Sequence, residues 1–144
     1  MPTVAKIIET ALYVADLHRA ADFYRDLFAL QTLSESDRLI ALDVAGQSVL
    51  LLFPAGRTTN SVTIPGGTIP GHGSPQTTKE GNNPGHLAFA IAAGDVDAWK
   101  SHLAEKHIAL ESEVTWPTGA KSLYFRDPDQ NLVELLTPGF WKTY

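Results

Sequence analysis

Glu9-Thr10-Ala11-Leu12-Tyr13-Val14 decides the fold, because the chain writes the same kind of segment again as His86-Leu87-Ala88-Phe89-Ala90-Ile91. Each is a short, largely apolar run, the pattern of a buried strand. Asp16 follows the first copy and Asp95 the second, each placed to cap a helix. Behind Asp16, Leu17, Ala20, Ala21, Phe23, Tyr24, Leu27 and Phe28 recur at three-to-four spacing and predict an amphipathic helix. Behind Asp95, Val96, Trp99 and Leu103 form the equivalent buried face.

The far ends of the two halves also match. Gln47-Ser48-Val49-Leu50-Leu51-Leu52 lies on Gln130-Asn131-Leu132-Val133-Glu134-Leu135 without a gap. In the first half strands are predicted over 39–44 and 48–53, with the first-copy strand beginning at Ile7. In the second they fall near 109–115, at 122–125 and at 132–136, the last preceded by the turn signal Asp127-Pro128-Asp129-Gln130-Asn131. A repeated order of elements is the simplest reading. It gives an α+β chain of two βαβββ units, residues 5–54 and 84–138, within a single domain covering 1–144, and a tail at 139–144. Residues 55–83, rich in Gly, Pro, Thr, Ser and Asn, are expected to form a long loop and are a candidate lid.

Composition narrows the function. A net charge of −5 and a pI near 5.4 argue against a nucleic-acid partner, whose binders present a basic face. No apolar run is long enough to span a bilayer, and the N-terminus lacks the apolar stretch of a secretory signal, so a cytoplasmic protein with no membrane partner is expected. With no cysteine in the chain, any metal must be held by His, Asp or Glu, and any nucleophile is not a thiolate.

Glu9 and Glu134 stand inside apolar strand segments, IIETALYV and LVELL, where an uncompensated carboxylate is costly. Strand alternation puts Glu9 on a face with Ala11 and Tyr13, and Glu134 on one with Leu132 and Leu136. Such burial requires a cation or hydrogen bonds. His86 opens the second unit directly after Gly85. The alternative is an edge carboxylate facing solvent and a histidine bonded to backbone. His18 and His102 fall within helices and are expected to be solvated; His107 falls at a helix C-terminus, a dipole-favoured placement. His72 in the Gly-rich loop, Arg57 and Arg126 are surface groups by default. If they face a cavity, they become substrate contacts or anion anchors. Tyr13, Tyr124, Trp116 and Trp141 are core or interface aromatics before they are pocket lining. The apolar ending Pro138-Gly139-Phe140-Trp141 is expected to pack over another surface, with a partner subunit as one candidate.

Taken together, the opening Glu9–Asp16 with Ala21-Asp22-Phe23-Tyr24-Arg25-Asp26-Leu27, the second opening Gly85–Phe89, and the closing Tyr124–Asp129 with Leu132–Leu135 resemble the vicinal oxygen chelate superfamily. That superfamily includes glyoxalase I, extradiol dioxygenases, fosfomycin-resistance enzymes and bleomycin-resistance proteins. The resemblance spans residues 7–138 and implies a cupped, mostly antiparallel sheet enclosing a metal and substrate cavity. It implies one divalent ion (Mn, Fe, Ni, Co or Zn) on Glu9, His86 and Glu134, with Leu51 at the fourth position, where metal cannot bind. It further implies Glu134 or Glu9 as the catalytic proton carrier. His72, Arg126, Tyr13 and Trp116 are the substrate-binding candidates. The function implied is a metal-dependent, glyoxalase-like lyase or isomerase acting on a small molecule with adjacent oxygens. A ring-cleaving dioxygenase and a metal-free, bleomycin-resistance-like binder are the alternatives, and a homodimer is expected.

Overall fold

The computed structural model describes residues 1–74 and 84–144. The chain divides into two compact units, 1–83 and 84–144. The remainder of the expected loop, 75–83, lies outside the described residues.

In the first unit β1 (Glu9–Val14) leads into α1 (Leu17–Phe28), then β2 (Gln31–Glu35), β3 (Ile40–Val44) and β4 (Ser48–Pro54). The Asp16 carboxylate caps α1 by accepting the Arg19 amide at 3.0 Å. That amide also holds the Asp16 carboxyl below its usual range. The helix buries Leu17, Ala20, Ala21, Tyr24 and Leu27. Ala29 ends it in the left-handed conformation. The sheet order is β1-β4-β3-β2, with β1 and β4 parallel and the other pairs antiparallel. One face of the β1–β4–β3 strands, Leu12, Val14, Leu50, Leu52, Ile40 and Leu42, is buried core.

The second unit repeats the plan: β7 (His86–Ala90), a 3-10 turn at Ala93–Asp95, α2 (Val96–Glu105), β8 (Ser112–Thr115), β9 (Lys121–Arg126) and β10 (Leu132–Leu136). Its order is β7-β10-β9-β8, again with the first and last strands parallel. Val133, Leu135, Leu123 and Phe125 are its core, with Val96 and Leu103 of α2 also buried. The α+β architecture of two four-stranded, mostly antiparallel sheets is therefore the one the repeat implied.

Register makes the repeat physical. Glu9 pairs with Val49 and Ala11 with Leu51, while His86 pairs with Leu132 and Ala88 with Glu134. Glu9 and His86 thus hold the same place in their units, as do Leu51 and Glu134.

Several local expectations need correction. β1 begins at Glu9 rather than Ile7, since Ile7 and Ile8 are exposed. β2 is the strand that the βαβββ plan requires after α1, unlocated by sequence pattern because all five of its residues are exposed. Asp95 makes no side-chain cap bond, because a 3-10 turn carries the chain into α2. Trp99 is only half-buried, its ring edge against His102. Within the loop, Val62–Ile64 (β5) and Gly67–Ile69 (β6) pair as a small antiparallel hairpin. The tail returns onto its own unit: Phe140 contacts Trp116 at 4.4 Å, and the Tyr144 hydroxyl donates to the Ile91 carbonyl. Among the described residues no helix is long and apolar enough to cross a membrane.

The two faces of β4 carry different weight. Leu52 is fully buried and Leu51 only half-buried. Leu52→Ala should cost about 2–5 kcal/mol in urea unfolding, and Leu51→Ala clearly less. Equal losses would contradict this assignment of the core face.

Candidate functional site

Glu134 anchors the site of the second unit. It sits mid-strand in β10 with its side chain only 9% exposed. Pleat alternation puts it on one face with Leu132 and Leu136, opposite Tyr124 of β9 and diagonal to Ser122 and His86. Its Oε1 accepts two hydroxyl hydrogen bonds, one from fully buried Ser122 and one from Tyr124 at 3.0 Å. The Trp116 indole N–H donates to the Ser122 hydroxyl at 2.8 Å, fixing which way that hydroxyl points its proton. Burial pushes the Tyr124 phenol above its ordinary range; Ser122 opposes this and the Glu134 carboxylate adds to it. Tyr124 therefore stays a donor near neutral pH.

The other oxygen, Oε2, lies 3.2 Å from His86 Nε2. His86 Nδ1 lies 3.1 Å from the Leu132 carbonyl, which can only accept, so Nδ1 carries a proton. A neutral His86 therefore turns a bare Nε2 lone pair toward a carboxylate oxygen. Two acceptors at that separation need a proton or a cation between them. The turn before β10 supports the approach. Buried Asp127 accepts the Asp129 and Asn131 amides, and Asn131 in turn accepts the Gly85 amide beside His86 at 2.7 Å.

Glu9 opens β1 in the first unit and is exposed there, so the burial argument that holds for Glu134 does not apply to it. Among the described residues no group of three or more His, Asp or Glu side chains is gathered for a metal ion. Tyr13 and His72 do meet: the Tyr13 hydroxyl is 2.7 Å from His72 Nδ1, and Phe53 sets its ring edge-on to the imidazole at 4.8 Å. Arg126 is committed elsewhere, forming two bonds to Glu111 and one to the Gln130 carbonyl. Trp116 reaches Glu134 through Ser122. The sequence reading missed Ser122, although KSLYFR puts Ser122 and Tyr124 on one face of a strand neighbouring LVELL.

Comparison with known proteins agrees with this architecture. The family model of the Glyoxalase/Bleomycin resistance protein/Dioxygenase superfamily matches residues 6–135. The chain belongs to that superfamily. A crystal structure of lactoylglutathione lyase from Agrobacterium tumefaciens is 32% identical, with a TM-score of 0.84 over 98% of this chain and 99% of that one. The fosfomycin resistance protein FosX from Listeria monocytogenes shares the fold at 16% identity and a TM-score of 0.63, with 97% of each chain covered. A glyoxalase/bleomycin resistance protein/dioxygenase from Nocardioides does so at 18% identity and 0.71, covering 95% of this chain and 85% of that one. No curated protein sequence matches the chain.

Ser122→Ala leaves the buried Glu134 carboxylate one donor short and strands the Trp116 N–H. It should destabilise the protein by roughly 1–3 kcal/mol in denaturant titration. A variant as stable as the wild type would show that the Trp116–Ser122–Glu134 chain is not formed.

Proposed function

We propose that this chain is a divalent-metal-dependent, glyoxalase-like lyase or isomerase acting on a small substrate with two adjacent oxygens. The observation that carries this reading is the facing pair of His86 Nε2 and Glu134 Oε2, whose other polar atoms are already held by the protein. An imidazole whose Nδ1–H is fixed on a backbone carbonyl is the usual support of a metal-ligating histidine. A carboxylate pinned through one oxygen presents the other in a fixed direction. These donors fit a Mn, Fe, Ni, Co or Zn ion.

In this reading His86 and Glu134 are metal ligands. Glu9 would be the third, as the superfamily resemblance implies. When bound, the ion supplies Lewis acidity to the substrate oxygens. The protein's own groups do the rest. Ser122 and Tyr124 hold Glu134 Oε1. Glu134 or Glu9, once loosened from the ion, would take and return the substrate proton. Leu51 keeps the fourth ligand position of the superfamily apolar. A ring-cleaving role is less well supported, since that chemistry calls for two imidazoles and one carboxylate, whereas His86, Glu134 and Glu9 are one imidazole and two carboxylates. The name of the 32% identical neighbour makes formation and cleavage of lactoylglutathione the first reaction to assay.

Reconstituted protein should hold about one divalent ion per chain, read by elemental mass spectrometry. His86→Ala, Glu134→Ala and Glu9→Ala should each weaken metal affinity about tenfold or more, while Leu51→Ala leaves it unchanged. A wild type without metal after reconstitution, or His86 and Glu134 variants with unaltered affinity, would replace this reading with a metal-free ligand-binding one.

A further inference from the structure

The first unit contains a cavity of about 630 Å³, within the range of small-molecule sites. Its walls come from the turn between β2 and β3, the segment after β4 and the β5–β6 hairpin. Leu39, Phe53, Val62 and Ile69 supply apolar surface. Arg38 and Arg57 line the same space, with Asp37 the one carboxylate among the lining residues. Arg25 and Arg126 are tied to acidic partners. Among the described residues, by contrast, neither the Arg38 nor the Arg57 guanidinium is committed to a carboxylate.

His72 completes the wall, and its placement is built rather than incidental. Its amide donates to the Thr58 carbonyl at 2.8 Å, and the Thr58 hydroxyl donates back to the His72 carbonyl at 2.8 Å. The Tyr13 hydroxyl holds Nδ1, which leaves Nε2 as the ring atom open to a ligand. The flanking glycines permit this. A Cβ on Gly71 would stand 2.1 Å from the Thr59 carbonyl oxygen. Gly73 has φ +80°, and a Cβ there would stand 2.7 Å from the Tyr13 ring.

We propose that this cavity is a binding site for a small organic anion. A carboxylate or phosphate head would be held by Arg38 and Arg57 with His72 as a further polar contact, and an apolar body would lie on Leu39, Phe53, Val62 and Ile69. Two uncommitted guanidinium groups outweigh the single Asp37 carboxylate, and guanidinium geometry suits both head groups. The lining lies wholly in the first unit and includes none of Glu9, His86 and Glu134, so the proposal does not depend on a bound metal.

Isothermal titration of the full-length protein with phenylacetate, phenyl phosphate and uncharged 2-phenylethanol tests it. At least one of the two anions should bind saturably, the tighter one assigning the head group, and the alcohol should bind far more weakly. Arg38→Gln with Arg57→Gln should weaken anion binding about tenfold or more, with thermal unfolding unchanged because both side chains are exposed. Should the double variant fail to fold, each single variant decides in the same way. Glu134→Ala should bind the anions like wild type. Equal binding of the alcohol, unchanged binding in the arginine variants, loss of binding in Glu134→Ala, or no binding of either anion would overturn the proposal.

Discussion

A carboxylate buried in the middle of a strand has to be answered by its surroundings, and the second unit is organised around that demand at Glu134. Desolvation of an ionised carboxylate costs several kcal/mol unless donors or a counter-charge replace water. One oxygen is answered by neutral donors, Ser122 and Tyr124, with Trp116 orienting Ser122. Among the described residues the other oxygen pairs only with His86. This division gives the site its polarity: one side is saturated and stationary, the other is left to whatever positive charge arrives. The Asp127–Asn131 turn matters for the same reason, because its hydrogen bond to Gly85 holds the start of β7 against β10.

The two units use one backbone plan for different chemistry. Parallel pairing of first and last strands with the same offset puts Glu9 where His86 stands, and Leu51 where Glu134 stands. With leucine there, that register position carries no charge to answer. Tyr13 and Phe53, further along β1 and β4, instead gather around His72. Gly71 and Gly73 let the chain come close enough for this cluster to form. A repeated scaffold has thus diverged through a few side chains, as expected when function resides in sites rather than in the fold.

Sequence patterning was informative where burial was periodic and silent where it was not. The α1 face, the Asp16 cap and the strand bearing LVELL were legible because apolar spacing there follows helix or strand geometry. β2, reading QTLSE, has every residue exposed and offers no alternation to detect. The β5–β6 hairpin is three residues a side, set among glycines and prolines that signal a loop. Glu9 shows the limit of the burial argument. Its apolar neighbours Ile7 and Ile8 are exposed, so hydrophobic flanks did not imply a buried carboxylate. Ser122 was hidden for another reason: its importance depends on cross-strand register, which a single strand's composition does not encode.

His86 is held as a prepared ligand, donating its Nδ1–H to the Leu132 carbonyl and presenting Nε2 beside Glu134. Nitrogen-15 NMR of the imidazole, with His86→Gln to assign its signals, tests this most directly when recorded before and after addition of diamagnetic zinc. A proton should remain on Nδ1 throughout, and zinc should shift the Nε2 resonance selectively. A proton resident on Nε2 of the neutral ring, or an Nε2 signal indifferent to zinc, would contradict it.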